Sequence, residues 1–332
     1  MRQSKPVLPI PEGCQTCGQA LTETLASNSK TSGLESSLVA RFRPIAQLAG
    51  GSIFGHLASV HGSAEKSLFP PSRLAGVAWR LGRAADLYRR YFEVAADRFV
   101  AYQGQGYLLL PLADAASELG EGCTAMLVDA LAKAGLSCDQ VIVVHAGVGG
   151  LDGAALERAL ATTHGLRRSG FKLAAVSLTC PRSEKLLWSV FHPEFAMIEE
   201  GALEGVDSKL LGNSHYAGLI ASAAARNRRV IALGIDSLGL LKSLRESKVA
   251  YVAGDFIGRP VAAPTRTLSA AAHKAISDAA VGRASQRQEG LHVLDKMLHL
   301  SLIHIFRRRR KLPAYRVTDT PCAASSRLPT NR

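Results

Sequence analysis

The sequence predicts an α/β protein built as a (β/α)8 barrel with an antiparallel first strand pair and a helix after the barrel. Three observations carry this expectation. Short apolar runs alternate with segments of helical period from about residue 38 to residue 265. Runs such as "QVIVVHA" are apolar at successive positions, which is how strands covered on both faces read. About eight such strand and helix units fall within about 220 residues, a closed barrel's length. No Gly-x-Gly-x-x-Gly follows the first strand, so an open dinucleotide-binding sheet has little support.

The elements follow in order. "RFRPIAQL" and "SIFGHLASV" are strand-like and are separated by Ala-Gly-Gly, a hairpin signal. A long helical stretch is predicted from about Ser72 to Tyr102. "GYLLLPL" is a strand and Ala115–Ala134 a helix; "QVIVVHA" is a strand, and Asp152–Ser169 a helix with Asp152 as its N-cap. "FKLAAVSL" leads to a helix over Arg182–Val190, "FAMI" to one over Ser214–Arg228, and "RVIALGI" to one over Leu238–Ser247. "VAYVAG" is the last strand, and a helix over about Leu268 to Leu300 lies beyond the barrel.

Composition sets the outer segments. Residues 1–36 are rich in Pro, Ser, Thr and Gly and contain Cys14-x-x-Cys17; they read as a loose N-terminal segment. The barrel is expected over 37–265, a helical extension over 266–300 and a basic tail over 301–332. At 47% hydrophobic and 20% charged the chain is globular in composition. It has no apolar run of about 18 residues to span a membrane, and its start lacks a signal peptide's apolar stretch. A cytoplasmic protein is the resulting expectation.

Six cysteines in 332 residues do not make a disulfide scaffold, and Cys123, Cys138 and Cys180 read as buried free thiols. Ser301–Arg332 hold eight Lys/Arg and one Asp, so +7 of the net +13 lies there. A nucleic-acid role argued from net charge would therefore rest on a tail, and none is expected. That tail has no period after Phe306. A solvated basic arm, a nucleic-acid patch and foreign sequence are three readings. "LSLIHI" followed by unrelated residues resembles translated sequencing-adapter read-through, so fold and function are read from residues 1–300.

In a barrel of this type, chemistry sits at the C-terminal ends of the strands. "VAGDFIGRPV" places Arg259 in a turn after the last strand, where a guanidinium can meet a phosphate or simply face solvent. The order "RFRPIAQLAGGSIFGHLASVHG", "LRRSGFKLAAVSL", "RRVIALGIDSL", "VAGDFIGRPV" resembles the EAL domain family over about residues 38–265. Arg-Pro-Ile with Gly-Gly-x-Ile-x-Gly, and the closing Gly-Arg-Pro, are the most specific pieces. The resemblance implies a TIM-like barrel and cyclic di-GMP phosphodiesterase activity, in which two Mg²⁺ or Mn²⁺ ions held by acidic residues activate a water.

Matched position by position, the acids are absent. The signature glutamate falls on Leu57, and the arginine of the same motif on His61. The metal-binding Asn falls on Pro111, and the acids of "VIVVHAG" fall on Val144 and Gly147. The Asp-Asp pair falls on Val176 and Ser177, the catalytic lysine on Met197, and the glutamate after "RVIAL" on Leu233. The Gln before the closing turn falls on Ala253. His61, Glu199, Asp236 and Arg259 remain as candidate ligand-binding residues, with no cofactor expected and no metal in the barrel. Cys14 and Cys17 supply half of the four ligands a structural zinc needs.

The resemblance then implies a catalytically inactive, degenerate EAL-like regulator in bacterial cyclic di-GMP-related signalling. It would act through a protein partner, and a homodimer is compatible with this. The alternatives are a non-hydrolysing receptor that binds cyclic di-GMP weakly and, last, an active phosphodiesterase. His56, His61 and His145 near strand ends read as packed or solvated histidines. Asp236 serves equally as helix cap or as site residue. Lys66, Arg83, Arg89 and Arg90 read as a solvated face.

Overall fold

A computed structural model describes residues 38–64, 67–69, 74–76, 78, 82–112, 121–145, 153–177, 187–203, 215–244 and 247–278. The strands are β1 (Leu38–Gln47), β2 (Ile53–Ala64), β3 (Ser67–Phe69), β4 (Tyr107–Leu112), β5 (Val141–His145), β6 (Lys172–Ser177), β7 (Phe195–Ile198), β8 (Arg229–Ala232) and β9 (Tyr251–Val252). Their order is β1-β9-β8-β7-β6-β5-β4-β2, closed by pairing of β1 with β2. Eight strands thus form a barrel, and β3 adds antiparallel to the end of β2. β1 runs antiparallel to both neighbours, while the other barrel pairs are parallel.

The helices are α1 (Ala84–Ala101), α2 (Glu121–Ala134), α3 (Gly153–Arg168), α4 (His215–Ala225) and α5 (Leu238–Ser243), with a π-helical turn over Leu187–Phe191. Residues 270–278 form α6, the described part of the helix expected after the barrel. Residues 1–37 and 279–332, with Cys14, Cys17 and Cys180, lie outside the described residues.

The alternating and continuous apolar patterns both find their reason in burial. β5 is buried at every position, from Val141 to His145. Its even-numbered residues Ile142 and Val144 join Ile45, Leu109, Ala174, Phe195, Met197 and Ile231 inside the barrel. Its odd-numbered residues Val141 and Val143 pack outward with Phe92, Leu127 and Leu131 from the surrounding helices. Two apolar surfaces per strand explain the missing period-2 signal, and each fully buried Leu, Ile or Phe contributes about 1.5–3 kcal/mol.

Three sequence expectations change. The single helix over Ser72–Tyr102 is interrupted at Gly82, whose φ of +66° lies outside helical space; α1 begins at Ala84, and only 74–76 and 78 are described as helical before it. The end of the Arg182–Val190 helix becomes a π-helical turn, with 178–186 outside the described residues. The N-cap of α5 is Ser237, whose Oγ accepts from Leu240 N at 3.2 Å, and not Asp236. Asp152, expected to cap α3, lies outside the described residues, as does Lys66. At α1, Arg83 pairs with Asp86 and Arg90 with Glu93, each at 2.6 Å, and both arginines are half-buried where a solvated face was expected.

Cys123 is fully buried, and burial pushes its thiol up to about 12, so it is an inert packing residue; Cys138 is half-buried.

Candidate functional site at the barrel mouth

β1 builds one wall of the mouth because it runs against the other strands. Leu38, Ala40 and Phe42 turn outward into the helical layer, whereas Ile45 sits inside the barrel. Period-2 geometry puts Arg43 and Arg41 on the Ile45 face, successively nearer the C-terminal ends of the parallel strands. Across the hairpin Arg43 faces Leu57, Arg41 faces Ser59 and Val39 faces His61.

The positions expected to carry the acids, the lysine and the amides are packed with carbon. Val144, Val176, Met197 and Ala253 are buried in the barrel's apolar interior, with Leu57 and Leu233 half-buried against it. Pro111 pairs with Val144 in the sheet, and Val176 with Met197. Ser177 ends β6, while Gly147 lies outside the described residues. Among the described residues no group of three or more His, Cys, Asp and Glu is placed to hold a metal ion.

Two carboxylates at this end, Glu200 and Asp255, are engaged by arginine. Arg43 Nη1 donates to Glu200 Oε1 at 2.9 Å, and Arg43 Nη2 lies 3.6 Å from Asp255 Oδ1. Asp255 also pairs with Arg259 Nε at 3.2 Å, and its backbone N–H donates to Asp236 Oδ1 at 2.9 Å. Four strand ends are thereby tied together, those of β1, β7, β8 and β9. The closing turn seats against the Arg-Pro-Ile strand: a Cβ on Gly258 would lie 2.6 Å from Pro44 Cγ. The two most specific sequence pieces are therefore in contact, and only glycine fits at Gly258.

Each candidate residue can now be placed. Asp236, Arg259 and, through Asp255, Arg43 share one network, and Arg259 is 80% exposed. Glu199 is exposed and close enough to Tyr216 to help raise its pKa, after burial; its neighbour Glu200 is the acid that reaches Arg43. His61 Nε2 lies 3.0 Å from Ser59 Oγ, and burial, then Arg41, lowers its pKa. His56 and His145 are packed: His56 Nε2 meets Thr265 O at 2.9 Å, and His145 lies in the wall against Phe191 and Thr163. Sequence reading missed Arg43, Glu200 and Asp255. The signal was present in β1, where Ala40-Arg41-Phe42-Arg43 alternates apolar and basic.

Comparison with known proteins gives the same fold. A family model described as the EAL domain matches residues 30–260. The EAL domain of FimX from Pseudomonas aeruginosa, solved bound to c-di-GMP, superposes with a TM-score of 0.64 at 18% identity, covering 76% of this chain and 98% of that one. The FimX EAL domain of Xanthomonas citri, solved in complex with c-diGMP, gives 0.64 at 14%, covering 78% and 99%. YkuI of Bacillus subtilis, solved with c-di-GMP and calcium, gives 0.64 at 12%, covering 83% and 67%. No curated protein matches the chain.

Proposed function

The chain belongs to the EAL domain family, and on that premise we propose that it regulates cyclic di-GMP-related signalling in bacteria by protein–protein interaction and does not hydrolyse the nucleotide. The observation that supports this is the apolar filling of the mouth. A two-cation mechanism needs carboxylate oxygens at the strand ends. Leu57, Val144, Val176 and Leu233 supply none, and stripping water from a cation against such a surface costs several kcal/mol or more. The side chains present do not fit a pair of divalent cations, and Glu200 and Asp255 already have a cation in Arg43.

A second reading, a non-hydrolysing cyclic di-GMP receptor, is favoured by Arg41, Arg43 and Arg259 around the mouth. One charge-assisted contact contributes about 1.5–3 kcal/mol, short of the roughly 4.1 kcal/mol of a millimolar complex, so Arg259 alone supports only very weak binding or none. Calorimetric titration with cyclic di-GMP, with and without Mg²⁺, and an assay for the linear dinucleotide separate the readings. No turnover and no heat are expected. Turnover dependent on Mg²⁺ or Mn²⁺ would overturn the proposal, and sub-micromolar binding without turnover would put the receptor first.

A further inference from the structure

The opposite end of the barrel carries an unusual charge distribution. Three connections lead into the strand starts there: α3 to β6, α4 to β8, and α5 to β9. They bring Arg167, Lys172, Arg226, Arg228, Arg229 and Lys248 to one sector of that end. In the described stretches 166–172, 191–195, 226–229 and 247–250 the one carboxylate is Glu194, and its Oε2 accepts from Leu173 N at 2.8 Å. Lys172, Arg226, Arg228, Arg229 and Lys248 make no ion pair with a carboxylate among the described residues. Burial pulls the Arg167 guanidinium below its ordinary pKa; Glu194 opposes this, and Arg228 adds a smaller repulsion.

Three of these side chains, Lys172, Arg226 and Arg229, are held in place. Lys172 Nζ sits 4.6 Å above the Tyr107 ring and donates to Asp139 O at 3.0 Å. Arg229 Nη1 donates to Tyr251 Oη at 2.6 Å, and Arg226 lies 5.6 Å over the Trp188 ring. Phe54 stacks on Tyr251 at 3.8 Å and meets Tyr107 at 5.1 Å, a floor of rings under the two flanking cations. A cation whose rotamer is fixed beforehand loses less entropy when an anion arrives.

The sector is bounded. β6 to β9 span three strand spacings, about 15 Å, which matches four or five residues of extended peptide at about 3.4 Å each. A turn of duplex DNA is about 34 Å long. The rest of this end, at 47–52, 103–106 and 137–140, has Asp139 and no Lys or Arg of its own; Arg266 reaches it from the segment after the barrel but is engaged by Gln103 Oε1, so a long polyanion meets a spent cation there and no continuation of the track. We propose that this sector docks a short, acidic, extended segment of a partner protein. The proposal rests on the protein-interaction reading above and gives that partner a surface far from the mouth.

The probe is an eight-residue peptide alternating Glu and Ser, with a fluorophore and a photo-reactive end group, offered to the full chain. Cross-links are expected within 226–229 and 247–250, and Arg228→Glu with Lys248→Glu should weaken binding at least tenfold at unchanged melting temperature. If that double variant loses stability, Lys248→Glu alone, on an exposed loop residue, should weaken binding about threefold. No binding, cross-links confined to 301–332, or unchanged affinity in the variants would overturn the proposal. So would tighter binding of a 20-bp duplex or phosphatidylserine vesicles at the same sector. Hydrolysis of cyclic di-GMP with the cross-links where expected would sink the regulatory reading and uphold the docking surface.

Discussion

Arg43 and Glu200 meet at 2.9 Å across the barrel mouth, one from β1 and the other from the end of β7, three strands away around the sheet. Their pairing draws together strand ends that no backbone ladder connects. Glu200 is 56% exposed, so the pair is screened by solvent and contributes about 0.2–1 kcal/mol. Arg43→Gln should lower stability by about that amount in urea unfolding at low salt, and the difference should shrink at high salt. A loss above 3 kcal/mol, insensitive to salt, would show that Arg43 acts through packing.

Restoring one acid at the mouth should harm the fold. Val144 is 3% exposed and surrounded by Leu109, Ala174 and Val176. Val144→Glu buries a carboxylate with no partner, which costs about 3–5 kcal/mol at neutral pH. Burial raises the folded-state pKa of such a group above its unfolded value of about 4.3. The penalty should therefore grow as pH rises from about 4 and fade in acid. Equal stability of variant and parent at pH 7 would mean that water reaches this layer.

His145 gives the protein an acid-sensitive wall. It is 2% exposed, and burial, with Arg167 adding to it, lowers its pKa to about 4. The folded value lies below the unfolded reference of about 6.5, so the unfolded chain binds the proton more tightly. The stabilisation is complete above pH 6.5 and is lost as pH falls from about 6.5 to about 4. Its ceiling is on the order of 3 kcal/mol, at about 1.4 kcal/mol per pKa unit. His145→Gln should flatten the slope of stability between pH 6.5 and pH 5. Parallel profiles for parent and variant would rule the residue out as the source.

Gly254 is where the last strand passes closest to the preceding loop. A Cβ there would lie 2.1 Å from Ile235 N and 2.4 Å from Ile235 O, both backbone atoms that cannot swing aside. Gly254→Ala should cost about 1–3 kcal/mol or more, as overpacking does, and displace the turn that carries Asp255 and Arg259. Thermal unfolding and loss of the Arg259–Asp255 pair in a crystal structure would report it. Gly76, with nothing within 4 Å of its Cβ position, is the control.

The barrel was legible because strand and helix signals alternate at full strength from β4 to β9. Its closure was legible in the strand count and in the Ala-Gly-Gly hairpin. Gly82 was read through because one glycine in a helical period is often tolerated. The apolar replacement of the mouth could be read from Leu57, Val144 and Val176 directly, since side-chain chemistry needs no coordinates. The network was not legible. Glu200 and Asp255 are separated from Arg43 by more than 150 residues, and neighbouring acids such as Glu199 and Glu200 look alike until the turn after β7 decides which one reaches Arg43. Asp236 posed the same difficulty: its carboxylate could bond forward to its own helix or sideways to another loop, and Ser237 next to it was the better cap.

β1 pairs with β2 through a five-residue turn and with β9 only after some two hundred residues have been made. During synthesis the hairpin is therefore complete long before its second neighbour exists. Until Tyr251 and Val252 emerge, the edges of β1 and β8 stand open with unpaired amides and carbonyls, the surface on which chains pair wrongly with each other. The two-residue strand β9 and the bridge between Phe42 and Val261 act as the last stitch in this seam. A nascent chain halted before residue 251 is thus an open sheet with a sticky margin, and only the making of β9 closes it.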